Sequence, residues 1–158
     1  MGLDAHVRCA CLQQGRALPH PFPERLFLDD TAEPLLKGDP SDAEWDAHDQ
    51  WFEKSCEHSG YLVAVRLGNI NLIARLREFL KHLQGNPGPK FPILLNKVVY
   101  DGTHSGDWIP SDQAPALLAE VDTVLHSRDI LDEFENEFFS SMRSLCLASI
   151  ETRNPIVF

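Results

Sequence analysis

The sequence predicts an α+β domain in which helices dominate, about four of them beside a small sheet of three to five short strands. Three observations lead there. Apolar residues recur at helical spacing over about 43–56, Leu72–Leu83, Leu117–Leu125 and about 130–149. Shorter runs at 3–12, 25–28 and 61–66 alternate or stay apolar, as strands do. The breaks between them are rich in Gly, Pro, Asn and Asp, whose backbones favour turns. At 158 residues the chain reads as one domain, 1–158, long enough to bury a core without cross-links.

Taken in order, Leu3, Ala5, Val7, Cys9 and Cys11 alternate with Asp4, His6 and Arg8, which reads as a half-buried strand over 3–12. Pro19-His20-Pro21-Phe22-Pro23 reads as an extended connector, since proline lacks the amide both regular structures need. Arg25–Leu28 reads as a short strand, and the acidic stretch 29–42, with Pro34, Gly38 and Pro40, as a surface loop. Ser41 or Asp42 caps the first helix, whose stripe is Trp45, His48 or Asp49, Phe52 and Cys56. Tyr61–Arg66 reads as a strand. Asn69 caps the second helix, with Leu72, Ile73, Leu76, Phe79, Leu80 and Leu83 as its stripe; Gly85-Asn86-Pro87-Gly88-Pro89 stops it. Ile93–Tyr100 reads as a strand or buried segment. The third helix opens at Ser111 or Asp112, with Pro115 in its first turn, and Ser127-Arg128-Asp129 breaks it from the fourth. In the fourth, Leu131, Phe134, Phe138, Met142 and Leu145 form the inward stripe. The apolar end Ile156-Val157-Phe158 is expected to dock.

The net charge of −10, from 24 acidic and 14 basic residues, argues against nucleic acid and against an anionic membrane surface. It suits a protein partner, and a basic one best. No run is long and apolar enough to span a bilayer, and the first residues lack a secretory pattern. Four cysteines are too few for a disulfide scaffold, so a cytoplasmic protein with reduced thiols is expected.

Three constellations carry chemistry. In Tyr100–Trp108, His104 lies between Asp101 and Asp107, a general base with carboxylates to orient it; the structural reading is a tight loop whose Asp side chains satisfy backbone amides. Cys9-x-Cys11 and Cys56-x-His58 would complete a Cys₃His zinc tetrahedron. Against it, one intervening residue is short for a structural site, and all three cysteines continue apolar stripes, where buried Cys acts as a small hydrophobe. On that reading no cofactor is expected, with zinc as the alternative. Finally, Asp132, Glu133, Glu135 and Glu137 form an acidic ridge on the fourth helix, a solvated face or a docking site for a basic partner. No dinucleotide fingerprint, phosphate loop, His-Glu-x-x-His or nucleophile elbow occurs.

With these residues in view, the chain resembles a family of small uncharacterised bacterial proteins that open Met-Gly-Leu-Asp followed by Val-x-Cys-x-Cys, here Met1–Asp4 and Val7–Cys11. The resemblance continues through Trp51 with Cys56-x-His58, Leu67-Gly68-Asn69, Phe91-Pro92, Tyr100-x-Gly102-x-His104-x-Gly106-Asp107 and Asn154-Pro155-Ile156-x-Phe158. It implies a bacterial origin and supplies no activity. In size and charge the chain is similar to immunity proteins of polymorphic toxins. The expectation is therefore a non-catalytic protein-interaction domain of immunity-inhibitor type. The alternatives are a small metal-dependent or His-based enzyme using the 101–107 loop, and a zinc-stapled structural domain.

Overall fold

Strand β1 (Gly2–Arg8) alternates as its sequence requires, with Leu3, Ala5 and Val7 buried and Asp4 exposed. The computed structural model describes residues 2–85, 88, 90–104, 106–126 and 131–158. Met1, Asn86, Pro87, Pro89, Ser105 and Ser127–Ile130 lie outside these, so the expected 85–89 stop and 127–129 break fall partly or wholly outside them. The strand stops at Arg8 and does not reach residue 12. Beyond it the chain coils into a turn, in which the amides of Gln14 and Arg16 donate to the carbonyls of Ala10 and Cys11. Cys9 and Cys11 therefore leave the strand's apolar face.

Strand β2 (Leu26–Leu28) is present, and β3 (Pro34–Leu36) pairs with it as an antiparallel hairpin. The acidic stretch expected to be all loop thus contains a strand. Its turn is built by Asp29, whose carboxylate accepts the amides of Thr31 and Glu33 at 2.8 Å each. Helix α1 (Asp42–Lys54) starts where Glu44 reaches back to accept the Ser41 amide at 2.8 Å. It ends before Cys56, which the sequence reading had placed in its stripe. Strand β4 (Tyr61–Asn69) leads directly into α2 (Ile70–Leu83), where Asn69 accepts the Leu72 amide at 3.0 Å. Ile73, Leu76 and Leu80 of α2 are fully buried.

Residues 93–100 were expected as a strand or buried segment. The segment is buried but helical: Pro92 and Ile93 open a turn that ends in a single π-turn over Leu94–Val98. Its start is stabilised from outside, because the Glu120 carboxylate accepts the amides of Ile93 and Leu94 at 3.0 and 2.9 Å. Strand β5 (Trp108–Ile109), α3 (Ala114–Leu125), α4 (Glu133–Thr152) and β6 (Ile156–Val157) complete the chain. Pro115 sits in the first turn of α3, where its missing amide leaves no bond unmade.

The main sheet has the order β4-β1-β6-β5 and every neighbouring pair is antiparallel. Helix α4 packs on β4 and β1, α2 on β4, and α3 along α4. One core joins Leu3, Ala5 and Val7 of β1 to Leu76, Val121, Phe138, Met142 and Ile156. Phe134 of the expected stripe is not in it: it is 62% exposed, because α4 turns its buried face through Glu135, Phe138 and Phe139 instead. Among the described residues, none from 8 to 61 belongs to this core. Nor is any helix among them long and apolar enough to cross a membrane.

Candidate metal centre

Strands β1 and β4 are antiparallel neighbours, with Arg8 facing Tyr61. They form a hairpin whose turn has been replaced by the excursion 9–60, which carries β2, β3 and α1. Cys9 and Cys11 lie where the chain leaves β1; Cys56 and His58 lie where it returns to β4. The ladder extends one step past Arg8, since the Cys9 amide donates to the Gly60 carbonyl at 3.1 Å. Buried Asn154 holds the other side: its Nδ2 donates to the carbonyls of Arg8 and Cys9 at 3.0 and 3.2 Å, and its Oδ1 accepts from Gln13 at 2.8 Å. The returning segment is turned by Ser59 and Gly60, at φ 47° and 82°. A Cβ on Gly60 would lie 2.1 Å from the Phe52 ring, so only glycine fits.

These two segments bring four donor atoms together. The Sγ atoms of Cys9 and Cys56 are 3.6 Å apart, Cys11 Sγ and His58 Nδ1 are 3.3 Å apart, and all four atoms lie within 4.8 Å of one another. A zinc tetrahedron with bonds of about 2.3 Å to sulfur and about 2.0 Å to nitrogen has edges of about 3.8 Å between sulfurs and about 3.5 Å from sulfur to nitrogen. Two opposite edges already have about that length. His58 Nδ1 faces the sulfurs, while Nε2 faces outward, 4.0 Å from the exposed Glu57 carboxylate. A carboxylate behind a ligating imidazole orients the ring and raises its basicity.

The backbone also favours thiolate here. Burial by itself would raise the Cys56 thiol, but the amides of Gly60 and His58 aim at its sulfur, as do the Cys9 and Cys11 side chains, and together they bring it down to about 6. Burial pushes Cys9 up to about 12 and Cys11 also upward, and the neighbouring Cys56 adds to both. Such a cluster can hold a metal ion.

The reading of these cysteines as core hydrophobes finds less support. Cys146 does belong to the core, fully buried, and burial pushes its thiol up to about 12. Cys9, Cys11 and Cys56 lie outside that core; Cys11 is nonetheless buried, while Cys9 and Cys56 are half-buried. The short Cys-x-Cys spacing brings both sulfurs into the cluster because the chain is coiling at that point rather than extended. A narrow cavity within the excursion is lined by the three thiols together with Trp51, Phe52 and Pro34. Arg8 also lines it, buried, stacked over Phe52 and Tyr61 and paired with Glu33 at 2.9 Å. Sequence reasoning missed Arg8, Gly60 and Asn154 as supports of the site. Asn154 had a signal, standing just before Pro155 in the terminal motif, and Gly60 had one as the glycine that ends the first helical run; Arg8 had none.

The 101–107 loop is arranged differently. His104 is buried between the rings of Tyr100 and Phe158, and its Nδ1 contacts the Asp101 carbonyl rather than a carboxylate. The Asp101 carboxylate accepts from the Thr103 amide at 3.1 Å and hydroxyl at 3.0 Å, and the Asp107 carboxylate accepts from the Tyr100 hydroxyl. The three residues come together in sequence, but neither carboxylate orients the imidazole. The amide of Gly106 and the carbonyl of Asp107 bond Phe158, tying the loop to the end of the chain.

On α4 the four acidic residues separate. Asp132 and Glu135 cap the helix reciprocally, at 2.9 and 3.0 Å, and both face Arg75. Glu133 and Glu137 remain exposed, Glu137 beside Phe134 and Arg66 at an open groove. Comparison with protein families, with curated proteins and with solved structures gives no significant match.

Proposed function

We propose that the protein is a metal-stapled domain, in which zinc held by Cys9 Sγ, Cys11 Sγ, Cys56 Sγ and His58 Nδ1 closes the neck of the 9–60 excursion. The observation that carries this is the convergence of four soft donors at tetrahedral spacing from two segments 47 positions apart in the chain. Three thiolates and an imidazole suit zinc and disfavour calcium or magnesium, which take oxygen ligands. Four protein ligands leave no open position for water or substrate, so the role is structural rather than catalytic. The excursion has little apolar burial of its own outside the main core, and a metal at its base supplies what packing does not. The expectation of a docking ridge rests now on Glu133 and Glu137, since Asp132 and Glu135 serve the helix cap. That of a His-based enzyme rests on an imidazole without an orienting carboxylate. Neither is supported as directly as the staple.

Metal analysis of the purified full chain tests the proposal. One zinc per chain is expected, lost in the Cys56→Ser variant. Where free zinc stands about a thousandfold above its Kd, binding stabilises by about 4 kcal/mol. The gain falls on the transition in which the 9–60 excursion opens, and chelation removes it. Metal-free protein that melts identically with and without zinc would rule the staple out.

A further inference from the structure

We propose that Cys9 and Cys56 are also a redox pair, forming a disulfide when the metal is absent, so that either the ion or an S–S bond closes the same neck. The inference deepens the metal reading and rests on it only in treating the two as alternatives. Its basis is geometric. The two sulfurs are 3.6 Å apart, and both side chains are partly exposed. Cys11 and Cys146 are buried, and the Cys11 sulfur is engaged with His58 Nδ1 at 3.3 Å. A disulfide needs the sulfurs at about 2.0 Å, a closure of about 1.6 Å. The segments that carry them are already held side by side by the hydrogen bond from the Cys9 amide to the Gly60 carbonyl.

The oxidant is a peroxide. One thiolate attacks a peroxide oxygen, the O–O bond breaks, and the sulfur becomes a sulfenic acid as hydroxide leaves and takes a proton to become water. The second thiol attacks that sulfur, the S–O bond breaks, and its oxygen leaves as a second water with the thiol proton. Two thiols have then given two electrons and two protons to one peroxide. In the metal-loaded protein the same reaction removes two of four ligands, so oxidation releases the ion.

Peptide mapping by mass spectrometry after hydrogen peroxide treatment of the chelator-treated full chain tests this. A Cys9–Cys56 cross-link is expected, reversed by dithiothreitol, retained in Cys11→Ser and absent in Cys56→Ser. Metal-loaded protein treated in the same way should release its zinc to a colorimetric chelator as the cross-link appears. Sulfinic acids without a cross-link, or a Cys9–Cys11 or intermolecular bond in place of Cys9–Cys56, would overturn the proposal. Metal content measured on untreated protein separates the two claims. A cross-link in protein that never carried metal leaves the redox pair standing and removes the staple. Bound zinc without a cross-link does the reverse.

Discussion

His20 and His48 share a hydrogen bond 3.0 Å long inside a wall made by Trp45, Trp51 and Phe22. It joins the proline-rich connector to α1, and it requires one ring nitrogen to lack a proton. Burial holds His20 below its ordinary value, with the neighbouring His48 adding to that. The unfolded chain therefore takes up this proton at higher pH, near about 6.5, than the folded one does. The stabilisation is complete above that value and is lost as pH falls below it toward the lowered folded value. Thermal melts from pH 8 to pH 5 should show Tm falling through this window, less steeply in His20→Gln; parallel curves would show that the pair does not matter. The histidine pair had no signature in the sequence, because its members come from a connector and a helix. The cysteines did have one, and it pointed two ways. Spacing placed Cys9 and Cys56 on apolar stripes, but the strand stops at Arg8, four residues short of 12, and the helix at Lys54, two short of 56. Such a boundary shift takes a cysteine off an apolar face and into the neck of the excursion. At His104 the sequence showed the neighbours but not their hydrogen bonds, which go to the loop itself.

Elements with their own caps were legible. Asn69 and α2, Pro115 and α3, and the docked terminus at β6 all follow from local chemistry that the sequence displays. The segment at 93–100 does not, because its helical start is capped from a distance. Glu120 of α3 supplies both acceptors, and nothing near residue 93 announces it. Glu120→Ala should leave the buried Leu94 amide and the part-buried Ile93 amide without partners and cost about 2–4 kcal/mol in urea unfolding. Glu120→Gln keeps one acceptor and should lose less. Equal stability in all three proteins would show that water replaces the carboxylate. The hairpin β2–β3 was hidden for a related reason: its turn depends on one aspartate, Asp29, in a run whose composition reads as loop. On α4 the helix was evident, but its rotation was not, since Phe134 and Glu135 exchange the places that apolar spacing assigns them.

At the scale of the molecule, the main core excludes residues 8–61, so the chain has one large cooperative unit and a smaller appended one. If zinc is held as proposed, removing it should loosen the second without unfolding the first. Limited proteolysis with chelator should cut between residues 12 and 55, leaving β4 onward protected. Cleavage spread evenly across both parts would mean that they unfold together.

The antiparallel pairing of Arg8 with Tyr61 has a consequence for the ancestry of such a chain. A hairpin whose turn is a folded insert is a point at which whole segments can be gained or lost without moving the strands on either side. Shorter chains with β1 joined to β4 by a tight turn, or longer ones with another insert between them, are compatible with the same framework. The four donor residues of the Cys/His cluster sit on the insert side of that junction. Within any such lineage the cysteines and the histidine should thus appear and disappear as a set with the insert, while the core residues of β1, α2, α3 and α4 persist without them.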